Sequence, residues 1–102
     1  MLTVIEEVVN EAKEFEKRER RSDVRFPFYR HASINFDGEH FSAYTRNISE
    51  SGIGLMHSME LPLCEVELRI PIEAGRFLDV HAHVERCELS GDGLYISGLR
   101  FI

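Results

Sequence analysis

The sequence predicts an all-β domain, a six-stranded antiparallel β-barrel carrying an N-terminal α-helix. Three observations lead there. Beyond residue 20, short runs alternate apolar and polar side chains with the period of two expected of half-buried strands. Turn signals rich in glycine and proline separate these runs at roughly even spacing, as in antiparallel barrels. Only residues 2–18 carry a helical period, which divides the chain into a helix over 1–19 and a barrel over 20–102.

In residues 2–18, Leu2, Ile5, Val8, Val9, Ala12 and Phe15 form an apolar stripe with Glu and Lys on the other face. Thr3 and Glu6 have the spacing of a capping box. Glu14 and Arg18 attract across one turn while Lys13 and Lys17 repel, so side-chain pairing adds little and the stripe needs burial to be stable. A polar connector follows from Arg18 to Arg25. Pro27 disfavours helix at Phe26 and opens an extended segment. The first predicted strand runs from Phe28 to Phe36, and Asp37-Gly38 is a two-residue hairpin signal. The second passes through Phe41, Ala43 and Thr45 to Ile48, and a bend at Ser49–Gly52 leads into the short third strand, Ile53 to Met56. After the break at Leu61-Pro62, Val66, Leu68 and Ile70 mark the fourth strand. Glu73-Ala74-Gly75-Arg76 turns the chain into the fifth, marked by Leu78, Val80, Ala82 and Val84. Ser90-Gly91-Asp92-Gly93 is the last turn, and Leu94 to Ile102 closes the set.

Composition narrows the function. With 102 residues and 43% hydrophobic content, the chain has enough apolar material for one modest core. Its apolar runs are too short for a membrane span, and Glu6 and Glu7 interrupt any secretory leader, so a cytoplasmic domain is expected. Cys64 and Cys87 are too few and too far apart for a zinc motif or a disulfide scaffold, and buried free thiols are expected. His81 and His83 share a strand face without a third metal ligand, so solvent-facing histidines are the reading. No catalytic constellation is visible, which points away from an enzyme. The net charge of −6 disfavours a polymeric nucleic acid as partner, because such binding requires many neutralised phosphates. The charge is unevenly spread: six glutamates lie in residues 1–19, whereas Arg20, Arg21, Arg25 and Arg30 face the single Asp23 over residues 20–30. A concentrated positive patch on an acidic protein suits a compact anion.

Two polar clusters carry the chemistry. Arg20-Arg21-Ser22-Asp23-Val24-Arg25 places three guanidinium groups just ahead of the first strand. Guanidinium forks bind phosphate oxygens and the paired acceptors of guanine bidentately, and they stack on purine faces. Asn47-Ile48-Ser49-Glu50-Ser51-Gly52 brings an amide, a hydroxyl and a glycine to a bend, where a missing Cβ permits close approach. In order and spacing the clusters read RxxxR (Arg21, Arg25) followed by (D/N)xSxxG (Asn47, Ser49, Gly52), and with them the chain resembles the PilZ domain family. The closing Tyr95–Phe101 is similar to that family's last strand, and the resemblance covers about residues 18–102.

The resemblance implies a split barrel that receives cyclic di-GMP, with Arg20, Arg21, Arg25, Asn47, Ser49 and Gly52 as ligand-binding residues and no cofactor. It implies signalling through an ordered arginine connector. Nothing carries over to the helix, whose stripe is expected to pack on the barrel, on a second copy or on a protein partner; its acidic polar face argues against membrane insertion. Two other readings stay open: a ligand-independent adaptor of the same fold, and a barrel for single-stranded nucleic acid. Intact motif arginines oppose the first. Acidic strand faces at Glu65, Glu67, Asp79 and Glu85 oppose the second.

Overall fold

The structure, a computed structural model, describes residues 24–102. The expected N-terminal helix over 1–19, with Arg20 and Arg21, lies outside them. Seven strands follow one another as β1 (Phe26–Pro27), β2 (His31–Phe36), β3 (Glu39–Ile48), β4 (Gly52–His57), β5 (Glu65–Pro71), β6 (Phe77–Gly91) and β7 (Leu94–Phe101). Every pairing is antiparallel, in the order β3-β2-β5-β6-β7-β4, and β4 pairs back onto β3. Six strands therefore close a barrel, while the two-residue β1 lies against the far end of β3. Among the described residues there is no helix.

Alternation in the sequence becomes inside and outside. Ile34, Ile48, Ile53, Leu55, Leu68, Val84 and Leu99 are fully buried in one continuous core. Each such side chain contributes about 1.5–3 kcal/mol through removal from water. The hairpins turn where glycine allows it: Asp37-Gly38, Ala74-Gly75 and Asp92-Gly93 all take positive φ, and the first and last are two-residue loops. Paired positive φ angles are the primed turns whose twist matches flanking strands. Cys64 and Cys87 are free and half-buried against the core, and the Cys87 Sγ accepts from the Leu61 amide at 3.4 Å.

Two boundaries differ from the sequence expectation. The first strand does not run unbroken from Phe28: β1 and β2 are separated at Phe28–Arg30. Thr45 explains the break, because its buried hydroxyl donates to the Phe28 carbonyl (2.6 Å) and accepts from the Arg30 amide (2.7 Å), replacing ladder bonds. The break sits opposite a bulge in β3, where Thr45 pairs with Leu55 and Asn47 with Gly54, leaving Arg46 as the extra residue. β6 also continues past Val84 to Gly91, through a second bulge that leaves Glu85 extra between the pairs Val84–Leu99 and Arg86–Gly98.

Candidate functional site

Pairing of β1 with β3 brings the two motif regions together. Phe26 is buried opposite Ile48 and Pro27 lies opposite Asn47, so Arg25 arrives beside the end of β3. Its guanidinium Nη1 donates to Asn47 Oδ1 at 2.9 Å. Its Nη2 lies over Gly52, 3.3 Å from where a Cβ would stand. Arg25, Asn47 and Gly52 thus form one group on the outer face of the barrel.

Ser49 contributes from beneath. It is buried, and its Oγ accepts from the amides of Ser51 and Gly52 at 3.2 Å each, while its own amide donates to the Gly52 carbonyl at 2.9 Å. These bonds shape the β3–β4 turn and hold Gly52 against β7, where the Phe101 amide donates to the Ser51 carbonyl. The hydroxyl is engaged in turn geometry of the kind serine favours.

The structure adds residues that the motif reading did not single out. Asn47, Gly54, Gly98 and Arg86 form one cross-strand row over β3, β4, β7 and β6. Both glycines are buried, although their strand positions face outward, because neighbouring side chains lie across them. A Cβ on Gly54 would meet Asn47 Oδ1 at 2.6 Å, and one on Gly98 would meet Arg86 Nε at 3.1 Å. A floor without Cβ atoms is therefore flanked by an amide and a guanidinium. Glycine inside a strand marks close approach of a ligand or another chain segment, and Gly54 and Gly98 interrupting alternating runs were that signal.

Beside this floor, Arg25, Ser51, Glu85, Arg86, Gly98, Leu99 and Arg100 line a pocket of about 160 Å³. Arg100 Nε donates to Glu85 Oε2 at 3.1 Å, and His83 Nδ1 lies 3.0 Å from the same oxygen. These bonds, Arg100 first, hold the Glu85 carboxyl below the usual carboxylate range. Three guanidiniums around one carboxylate leave the pocket net positive on a protein of net charge −6, as an anionic ligand requires. A larger cavity of about 560 Å³ lies around the barrel on β2, β3, β5 and β6, but there one arginine, Arg69, stands against two carboxylates, Glu67 and Asp79, which does not suit an anion. Arg69 grips Asp79 at 2.8 and 2.9 Å, and Glu67 is met by Asn35 at 3.2 Å and His81 at 3.4 Å.

The described residues thus form a closed antiparallel barrel with an arginine-bearing approach beside a polar turn. Residues 19–102 match the PilZ domain, and the chain belongs to that family, a family of cyclic di-GMP receptors whose domains are generally not enzymes. No curated protein matches the sequence significantly. Among solved structures the barrel is similar to the Bacillus subtilis inhibitor of motility (MotI/DgrA), with a TM-score of 0.64 and 21% identity. That alignment covers 82% of this chain and 43% of the other, so the chain spans less than half of its structural neighbour, and the likeness is one of fold.

Proposed function

We propose that this protein is a non-enzymatic receptor for cyclic di-GMP. The observation that supports the reading is the bond from Arg25 to Asn47 above Gly52, which sets one arginine of the first motif beside the second. Around it, guanidinium groups answer the ligand's phosphates and the O6/N7 edges of its guanines. The glycine floor lets the Arg86 guanidinium lie flat against the sheet, where a planar base can stack on it. Arg20 and Arg21, which precede the described residues, complete the site from the connector. Because that connector joins residues 1–19 to the barrel, a ligand holding it against the Asn47–Gly52 turn changes how the N-terminal segment is presented to a protein partner.

Calorimetric titration with cyclic di-GMP, beside GMP and cyclic AMP, tests the reading. Binding at micromolar strength or tighter is expected, about −8 kcal/mol or better. Arg25→Ala weakens it at least tenfold, the order expected for a lost charged hydrogen bond. Equal affinity for GMP refutes recognition of the dinucleotide, and absence of binding leaves the adaptor reading in its place.

A further inference from the structure

Glu85 owes its position to the bulge in β6. Val84 faces the core, and in a regular strand Arg86 would face inward too. The extra residue lets Glu85 and Arg86 stand next to each other on the outer face, both exposed. Re-aiming a side chain in this way is a known use of bulges, which gather beside functional sites.

The carboxylate is both fixed and incompletely used. Arg100 and His83 both address Oε2, at 3.1 and 3.0 Å, and among the described residues Oε1 has no partner. Two anchors on one oxygen orient the group and leave the other oxygen as an open acceptor. The group is ionised at neutral pH, and the same bonds favour that form.

Its surroundings give that acceptor a purpose. Arg25, Arg86 and Arg100 offer only donors. The amide oxygen of Asn47 already accepts from Arg25. Guanine presents acceptors at O6 and N7, which guanidiniums satisfy, but also donors at N1 and at its exocyclic N2. Those donors need an acceptor, and Glu85 is the carboxylate lining this pocket. Adenine lacks both the O6 acceptor and the N1/N2 donors.

We propose that Glu85 selects guanine at this site: its open Oε1 accepts from the exocyclic N2 amino group of a base stacked on the Arg86 guanidinium that covers Gly98. The assignment rests on the cyclic di-GMP reading and adds to it the residue that reads the base.

The test compares cyclic di-GMP with cyclic di-IMP, which lacks only the exocyclic amino groups, on the full chain and on Glu85→Ala. Equilibrium titration of the parent is expected to favour cyclic di-GMP by roughly ten- to a hundredfold, the effect of a hydrogen bond to a charged acceptor. In Glu85→Ala, that preference falls to about threefold or less, with melting temperature checked to show an intact fold. Glu85 as a mere counter-ion to Arg100 gives another result, because removing a negative charge then tightens both ligands alike and leaves their ratio unchanged. An unchanged ratio overturns this assignment alone. A parent that binds neither dinucleotide overturns the receptor reading with it.

Discussion

Alanine at Gly52 and at Gly54 separates the fold from the site, although the two glycines stand two residues apart on β4. A Cβ at Gly52 meets the Leu99 carbonyl oxygen well inside the 3.0 Å that real Cβ atoms respect. That oxygen is backbone, in a strand paired on both sides by β4 and β6, so relief requires the closing ladder to shift. Overpacking of this kind costs about 1–3 kcal/mol, and a domain of this size loses about 4–8 °C of melting temperature for each kcal/mol. At Gly54 the obstacle is Asn47 Oδ1 at 2.6 Å, the tip of a side chain that can swing aside. Displacing it breaks the exposed Arg25–Asn47 bond, worth about 0.5–1.5 kcal/mol at most. The lower entropy of an unfolded chain with alanine offsets about 0.4–1 kcal/mol of that loss. Gly54→Ala is therefore expected to melt close to the parent yet bind cyclic di-GMP at least several-fold more weakly, and Gly52→Ala to melt clearly lower. Thermal denaturation followed by circular dichroism, with calorimetric titration on the same samples, reads both quantities. The reasoning fails if Gly52→Ala melts with the parent, or if Gly54→Ala loses as much stability as Gly52→Ala.

Two further outcomes follow from buried polar contacts. Thr45→Val keeps the shape but strands the Phe28 carbonyl and the Arg30 amide, so urea unfolding should show a loss of about 1–3 kcal/mol; an unchanged midpoint would remove Thr45 as the clasp of the β1–β2 break. His57 is buried between the Met59 carbonyl (2.6 Å from Nδ1) and Ser97 Oγ (2.8 Å from Nε2), and burial lowers its pKa below the usual 6.5. As pH falls below 6.5 the unfolded chain takes up this proton first, so the contribution of His57 is intact above 6.5 and lost as pH falls through the folded value. His57→Gln should flatten the fall in stability as pH drops below 6.5, and parallel curves for parent and variant would contradict the assignment.

Much of the architecture was legible because its causes are local. Asp37-Gly38 and Asp92-Gly93 specify primed turns by their own conformational preferences, and Val66, Leu68 and Ile70 declare a buried face by alternation alone. What escaped depends on partners distant in sequence. The run Glu85-Arg86-Cys87-Glu88 has no clean period, because a bulge changes which face each side chain takes, so the length of β6 was invisible. The interruption at Phe28–Arg30 depends on a hydroxyl fifteen or more residues away. The site divides in the same manner. Arg25, Asn47 and Gly52 were named by motif, and β1 pairing brings them together. Ser49 was named for its hydroxyl, which the structure engages inside the turn. Arg86, Glu85 and Arg100 lie on strands whose register with β4 no linear pattern reveals.

A barrel whose strands close on one another offers no free edge for a ligand to extend, and the Arg25–Asn47 group lies instead on an outer sheet face, where side chains usually stand upright. Here two devices alter that face. Gly52, Gly54 and Gly98 remove the Cβ atoms along β4 and β7, and Arg25, Asn47 and Arg86 lie down into the space. The bulges at Arg46 in β3 and Glu85 in β6 bracket those two strands, and bulged strands bend and twist more strongly than regular ones. The cations are in this way held by backbone geometry before any ligand arrives, which reduces the ordering cost that binding must overcome. An arginine cluster on an ordinary strand face would keep its hydration and its rotamer freedom. On the proposed reading, charge would draw an anion to this surface, and the glycine floor between two bulges would give the charge a shape to act through.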